Sequence, residues 1–132
     1  MLLAIDIGNT NIVIGIYERQ QLKCHWYIAS DQRKTADEYG LLLYQLCCSR
    51  GMDTGAIKAV IIASVVPVLT QVFGAMSKRL TKCRPLIIGP GVKTGMPIRF
   101  ENPKEVGADR IVNGVAAYEL YGGPAVVVDF GT

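Results

Sequence analysis

The chain has 132 residues, half of them hydrophobic, which is enough for one domain of ordinary size with a buried core. It carries 14 basic and 11 acidic residues, a formal net charge of +3, and its densest basic pair is Lys78-Arg79. So small a charge, without a long basic run, argues against nucleic acid as a partner.

The first part of the chain predicts three antiparallel strands. Apolar, β-branched runs at residues 2–7, 12–17 and 22–29 are separated by short polar turns. In the third run Trp26 and Ile28 fall on the same face. We therefore predict a meander that opens the domain.

A helix and a strand follow the meander. The sequence 35–38 fits a capping box, in which Thr35 and Glu38 bond each other's backbone N–H. An apolar stripe at helical spacing comes next, and it consists of Tyr39, Leu42, Leu43, Leu46 and Cys47. Arg50 and Gly51 predict the helix end. Residues 56–63 then predict a buried strand.

The remaining elements alternate in the same way. Pro67 predicts the first turn of a second helix, and residues 85–88 predict a short strand. A third helix is predicted to start at Asn102 or to restart at Gly107. Its predicted apolar face consists of Ile111, Val112, Val115 and Leu120. Residues 122–124 end it, and the apolar run 125–128 predicts one more strand.

The predicted order βββαβαβ-αβ indicates the α/β class, with a mixed sheet, an antiparallel N-terminal meander and flanking helices. The sequence stops at Thr132, directly after an apolar run and inside a glycine turn. We therefore expect residues 1–132 to be a truncated piece of a longer protein.

Zinc binding and membrane insertion are not expected. The four cysteines contain no C-x-x-C pair, and His25 is the sole histidine. Adjacent Cys47 and Cys48 suit free thiols in a reducing cytosol, which predicts a cytoplasmic protein. No apolar stretch reaches about 18 residues. The apolar N-terminus has no basic segment and is interrupted by Asp6, so we predict no signal peptide.

Two turns with an acid and a glycine suggest nucleotide chemistry. Each follows an apolar run, and they are Asp6-Ile7-Gly8-Asn9-Thr10-Asn11 and Asp129-Phe130-Gly131-Thr132. Glycine lets backbone N–H groups approach an oxyanion, and one or two carboxylates with substrate phosphates typically hold Mg²⁺. Facing one cleft, the two turns would clamp a polyphosphate. Asp6, Gly8 and Asn9 also suit a plain turn, but the donors of Thr10 and Asn11 favour phosphate binding.

A third polar group, Gly107-Ala108-Asp109-Arg110, lies near a predicted helix start. Two interpretations of Asp109 remain open. It is either a charge that suits a helix N-terminus, or a general base that accepts a hydroxyl proton during phosphoryl transfer. In the second case Arg110 would hold an anionic substrate.

Two other phosphate motifs are not favoured. Residues 129–131 match the tripeptide that holds Mg²⁺ in protein kinases, but no H-R-D or V-A-I-K element precedes them. Residues 89–94 lack the G-x-x-x-x-G-K-[ST] spacing of a P-loop, and a plain loop is the better interpretation.

Together, residues 6–11, 105–113 and 129–132 resemble type III pantothenate kinase, and residues 90–95 also fit. The resemblance implies a ribonuclease H-like ATPase domain of the sugar kinase, heat-shock chaperone and actin superfamily. Residues 1–132 would be the N-terminal domain of a two-domain kinase with the nucleotide between the domains. It also implies ATP-dependent phosphorylation of pantothenate to 4'-phosphopantothenate, the first step of coenzyme A biosynthesis, by a homodimer. The fragment alone is expected to be inactive.

The resemblance also implies roles for single residues. The ATP site would consist of Asp6, Ile7, Gly8, Asn9, Thr10, Asn11, Ile12, Val13 and Thr132. The pantothenate site would consist of Phe100, Gly107, Ala108, Asp109 and Arg110. Asp109 would be the base, and Asp129 would bind a monovalent cation, K⁺ or NH₄⁺, beside the Mg²⁺ of ATP. Phe100 replaces a tyrosine that touches the substrate in many relatives, so one hydroxyl contact would be missing.

Two alternatives to an enzyme remain. The family includes regulatory accessory factors without kinase activity, and a non-catalytic nucleotide-binding domain is the other possibility. The intact set of Asp6, Asp109 and Asp129 favours the kinase, because a regulator need not keep it.

Overall fold

A five-stranded mixed sheet forms the centre of the computed structural model, which describes residues 1–89 and 92–130 and, for Lys104, only the backbone. The strand order is β3-β2-β1-β4-β5. The strands are β1 (Leu2–Ile7), β2 (Asn11–Glu18), β3 (Gln21–Ala29), β4 (Ala59–Ser64) and β5 (Leu86–Ile87). β1, β2 and β3 are antiparallel neighbours, whereas β4 is parallel to both β1 and β5. The predicted mixed sheet with an N-terminal meander is confirmed.

The bounds of β4 and β5 differ most from the prediction. β4 begins at Ala59 because residues 54–56 form a 3₁₀ turn, in which the Asp53 side chain accepts a hydrogen bond from the N–H of Gly55 at 2.8 Å. β5 has two residues instead of the predicted four.

Two helices cover one face of the sheet. α1 (Ala36–Ser49) has the predicted capping box: Thr35 Oγ1 accepts from the N–H of Glu38, and Glu38 Oε2 accepts from the N–H of Thr35 at 2.8 Å. α2 (Pro67–Thr81) starts with its proline in the first turn. Their contact includes the rings of Tyr39 and Phe73, whose centroids are 4.6 Å apart. This face holds the main core, which includes Leu3, Ile5, Ile7, Ile12, Ile14, Ile16, Leu43, Ile62, Leu69 and Met76.

The third helix, α3 (Ala108–Tyr121), packs beside β4. It starts after Gly107, so the restart was the correct alternative, and a separate 3₁₀ turn occupies Pro103–Glu105. Its buried contacts come from its first turns, where Ala108 and Ile111 pack against Ala63 and Ile88. The prediction that Leu120 belongs to the apolar face was wrong. Leu120 is 72% exposed because the helix packs on the sheet only through its N-terminal half.

The predicted strand at residues 125–128 was also wrong. This segment has no strand conformation, and no strand pairs with it among the described residues. Val126 and Val128 are 91% and 69% exposed. An apolar run shows that a segment is suited to burial, but a strand also needs a neighbour for its backbone hydrogen bonds.

None of the three helices in the described part of the chain has the length and apolar character that crossing a membrane requires.

Candidate active site

The three polar motifs meet in one open cleft at the carboxyl end of β1. β1 and β4 run side by side in parallel and end at Ile7 and Ser64, so the loops that follow them open at the same edge of the sheet. The cleft has a volume of about 580 Å³. It is lined by Asp6, Gly8, Asn9, Thr10, Asn11, Val65, Glu105, Gly107, Asp109, Arg110, Asp129 and Phe130. Residues far apart in the sequence therefore share one surface.

The first wall of the cleft is the tight turn between β1 and β2. The N–H of Gly8 donates to the carbonyl of Asn11 at 3.0 Å, which leaves Asn9 and Thr10 at the tip. A Cβ on Gly8 would lie 3.1 Å from that carbonyl oxygen, closer than such atoms normally approach. Glycine thus suits the close backbone approach that closes the turn, because any side chain would force the Asn11 carbonyl to shift.

The second wall is the start of α3. Gly107 precedes the helix, and Asp109 lies in its first turn. Asp109 Oδ1 accepts a hydrogen bond from the N–H of Arg110 at 2.8 Å. A Cβ on Gly107 would collide with Asp109 Oδ1, so this glycine leaves room for the carboxylate. Asp109 is half-buried, whereas Arg110 is exposed.

Asp129 is held against α3 by a side chain that the sequence analysis did not assign to the site. Asn113 Nδ2 donates to Asp129 Oδ2 at 3.0 Å. Asn113 follows Asp109 by four residues, so both lie on the same face of the helix. That spacing was the available signal, and it was missed because Asp129 lies in a different motif.

The cleft concentrates negative charge. Burial raises the pKa of Asp6, and the nearby carboxylates of Asp109 and Asp129 raise it further. In residues 1–89 and 92–130, no three or more acidic, histidine or cysteine side chains lie close enough together to hold a metal ion by themselves. The carboxylates therefore surround an open space without forming a closed metal site.

Several predicted site residues lie elsewhere. The side chains of Ile7 and Ile12 are fully buried in the core, and Val13 lines a neighbouring, mostly apolar pocket that shares Asp6 with the cleft. Ala108, in the first turn of α3, is buried against the sheet.

Phe100 is 54% exposed and does not line the cleft. Thr132 lies outside the described residues, as do Pro90, Gly91 and Gly131. The cleft is also lined by three residues that the sequence analysis did not name as site residues, and these are Val65, Glu105 and Phe130.

Comparison with known proteins covers the whole chain. Residues 2–132 match the family type III pantothenate kinase. Similar proteins include the type III pantothenate kinases of Moorella thermoacetica, 69% identical, and of Myxococcus xanthus and Geobacter sulfurreducens, each 54% identical. Each alignment covers 100% of this chain and 52% of the relative. The chain thus spans about half the length of the curated relatives it matches.

Proposed function

The chain belongs to the type III pantothenate kinase family, and from this premise we propose that it supplies the nucleotide-binding part of an enzyme that phosphorylates pantothenate with ATP. The observation that carries the proposal is the meeting of Asp6, Asp109 and Asp129 in one cleft with the Gly8–Asn11 turn. Phosphoryl transfer needs donors for phosphate oxygens, acidic groups for a cation and a base for the acceptor hydroxyl. The cleft contains candidates for all three.

The turn between β1 and β2 is the proposed phosphate site. Gly8, Asn9, Thr10 and Asn11 all line the cleft, and their backbone N–H groups and polar side chains are the candidate donors to phosphate oxygens. Ile7 and Ile12 support the turn from β1 and β2, because their side chains are buried in the core, whereas Val13 lines the neighbouring apolar pocket. We keep Thr132 as a proposed ATP contact on the basis of the motif alone.

The proposed cations are Mg²⁺ and a monovalent ion, K⁺ or NH₄⁺. The fit is chemical: burial raises the pKa of Asp6, the nearby carboxylates of Asp109 and Asp129 raise it further, and a cation would offset the repulsion between these carboxylates. Mg²⁺ is usually held by one or two carboxylates together with phosphates, which agrees with the absence of a closed ligand group in the described residues. Asp6 would face Mg²⁺, and Asp129 would face the monovalent ion. The cations would neutralise charge on the phosphates during transfer.

The proposed chemistry is carried by Asp109. Its carboxylate accepts the proton of the pantothenate hydroxyl as that oxygen bonds to the γ-phosphorus of ATP, and the bond from this phosphorus to ADP breaks. Arg110, exposed in the cleft, would bind the pantothenate carboxylate. Gly107 and Ala108 set the start of α3 and thus the position of Asp109. Phe100 remains a proposed substrate contact without a place in the described cleft.

We also propose a two-domain enzyme that acts as a cytoplasmic homodimer, with residues 1–132 as its N-terminal domain. The support is the family resemblance, together with relatives about twice the length of the chain. We expect the 132-residue chain alone to turn over poorly.

A coupled ATP-consumption assay tests the proposal. The assay uses a protein of full family length that contains this sequence, with and without pantothenate. We expect ATP consumption that requires pantothenate and that Asp109→Asn removes. If ATP binds and pantothenate has no effect, the chain instead belongs to a regulatory accessory factor or a nucleotide-binding domain.

A further inference from the structure

Ser30 contacts the Gly8–Asn11 turn, the proposed phosphate site, through two hydrogen bonds. Its hydroxyl donates to the carbonyl of Gly8 at 2.6 Å, and its backbone N–H donates to the carbonyl of Thr10 at 2.9 Å. Ser30 follows the last residue of β3 and is half-buried, and it is not among the described residues that line the cleft. One residue thus binds two carbonyl groups of the same turn.

These two hydrogen bonds orient the peptide groups of the turn. In a planar trans peptide the C=O and N–H bonds point in opposite directions. When the Gly8 carbonyl points to Ser30, the N–H of Asn9 in the same peptide points away from Ser30. The Thr10 carbonyl and the N–H of Asn11 are related in the same way. Asn9 and Asn11 are both cleft residues.

Ser30 is itself held by a rigid part of the fold. The hydroxyl of Tyr39 accepts from the N–H of Asp31 at 2.9 Å and donates to the carbonyl of Asp31 at 3.0 Å. Tyr39 is 1% exposed and packs on Phe73 in the main core. The segment after β3 is therefore attached to α1 through Tyr39, and the hydrogen bonds of Ser30 attach the turn to that segment.

We propose that Ser30 is a positioning residue for the nucleotide. Its two hydrogen bonds fix the orientation of the Gly8 and Thr10 carbonyls. The N–H groups of Asn9 and Asn11 in the same two peptides are then available to phosphate oxygens. This inference rests on the proposed function, because it takes the turn to be the phosphate site. It adds a specific residue outside the cleft, and it predicts that the hydroxyl affects ATP rather than pantothenate.

Calorimetric binding of ATP with Mg²⁺ to a protein of full family length tests this role. We expect Ser30→Ala to raise the Kd of ATP roughly tenfold, which corresponds to about 1.4 kcal/mol. Ser30→Thr, which keeps the hydroxyl, should restore the affinity. Ser49→Ala is the matched control, because the Ser49 hydroxyl also donates to a backbone carbonyl, that of Leu46 at 2.8 Å, but at the far end of α1. It should leave the Kd of ATP unchanged.

The Kd of pantothenate and the melting temperature are measured on the same variants. A purely structural Ser30 would lower the melting temperature and leave the Kd of ATP unchanged, which would overturn the proposal. Equal weakening of ATP and pantothenate binding would overturn it too. If Ser30→Ala does not fold, Ser30→Cys replaces it, because a thiol is a weak donor of similar size.

The binding assay separates this inference from the proposed function. A wild-type protein that binds ATP but does not phosphorylate pantothenate would refute the kinase proposal, and the effect of Ser30→Ala on ATP binding would still decide the positioning role. A wild-type protein that does not bind ATP would refute both.

Discussion

Asn113 and Asp129 are joined by a 3.0 Å hydrogen bond in which the amide of Asn113 donates to the carboxylate of Asp129. The bond connects the middle of α3 to the segment that follows the helix. It brings Asp129 to the same cleft as Asp109, which lies one turn earlier on α3. The position of the proposed cation ligand thus depends on an amide that belongs to a different sequence motif.

Loss of this amide should weaken activation by a monovalent cation. Asn113→Ala removes the donor and leaves Asp129 without its partner on α3. Hydrogen bonds to charged groups contribute about 1.5–3 kcal/mol, and exposure to solvent reduces that value. We expect the K⁺ concentration for half-maximal kinase activity to rise roughly threefold to tenfold. A K⁺ titration of wild-type and variant enzyme measures it, and identical titration curves would show that Asn113 does not orient a cation ligand.

The turn at Gly8 should not tolerate a side chain. Gly8→Val places a Cβ within 3.1 Å of the Asn11 carbonyl and forces the turn to open. We expect ATP binding to weaken at least tenfold, which calorimetry measures. Gly74→Val is the control, because a Cβ at Gly74 on α2 meets no atom within 4 Å. Equal ATP affinity for wild type and Gly8→Val would argue decisively against the phosphate site.

The raised pKa of Asp6 predicts a stability cost at neutral pH. The folded state binds the Asp6 proton more tightly than the unfolded state, so stability falls as the pH rises from the ordinary carboxyl pKa through the raised one. Asp6→Asn should therefore increase the melting temperature at about pH 7, and the gain should shrink as the pH falls toward the ordinary carboxyl pKa of about 4, because the raised pKa favours the protonated form of Asp6 in the folded state. The same variant should lose Mg²⁺-dependent ATP binding.

Asp31 provides a control, because its pKa is shifted in the opposite direction to that of Asp6. Hydrogen bonds from Arg33 lower its pKa to about 2, so its ionised form is favoured in the folded state. Asp31→Asn should not increase the melting temperature at about pH 7. A lower melting temperature for Asp6→Asn than for wild type at that pH would contradict the electrostatic account of the cleft.

Local patterns in the sequence were sufficient for most of the fold. The β-branched runs predicted β1, β2 and β3 to within one residue at each end, and the capping box located the start of α1. These features depend on contacts between near neighbours in the chain, which the sequence encodes directly. The same local pattern failed for residues 125–128 and for Leu120, because exposure there depends on what the rest of the chain packs against.

The candidate site was predictable in part. The acid-and-glycine turns at Asp6 and Asp129 suggested a shared cleft, the family resemblance added Asp109, and the structure brings the three residues together. The sequence did not reveal Ser30 or Asn113, because their hydrogen bonds span 22 and 16 residues of sequence and depend on strand register and helix placement. The site predicted from the family resemblance also included Ile7, Ile12 and Ala108, whose side chains are buried in the core. A motif match does not distinguish the two faces of a strand or helix.

The most direct test of the central claim is the rate of the Asp109→Asn variant in a protein of full family length, measured with pantothenate and ATP. If Asp109 is the general base, kcat and kcat/KM should fall together by about 10²- to 10⁴-fold while ATP binding is retained. If Asp109 is only a charge at the start of α3, worth about 0.3–1 kcal/mol, asparagine should leave kcat nearly intact and shift the melting temperature slightly. A wild-type kcat in this variant would contradict the catalytic assignment.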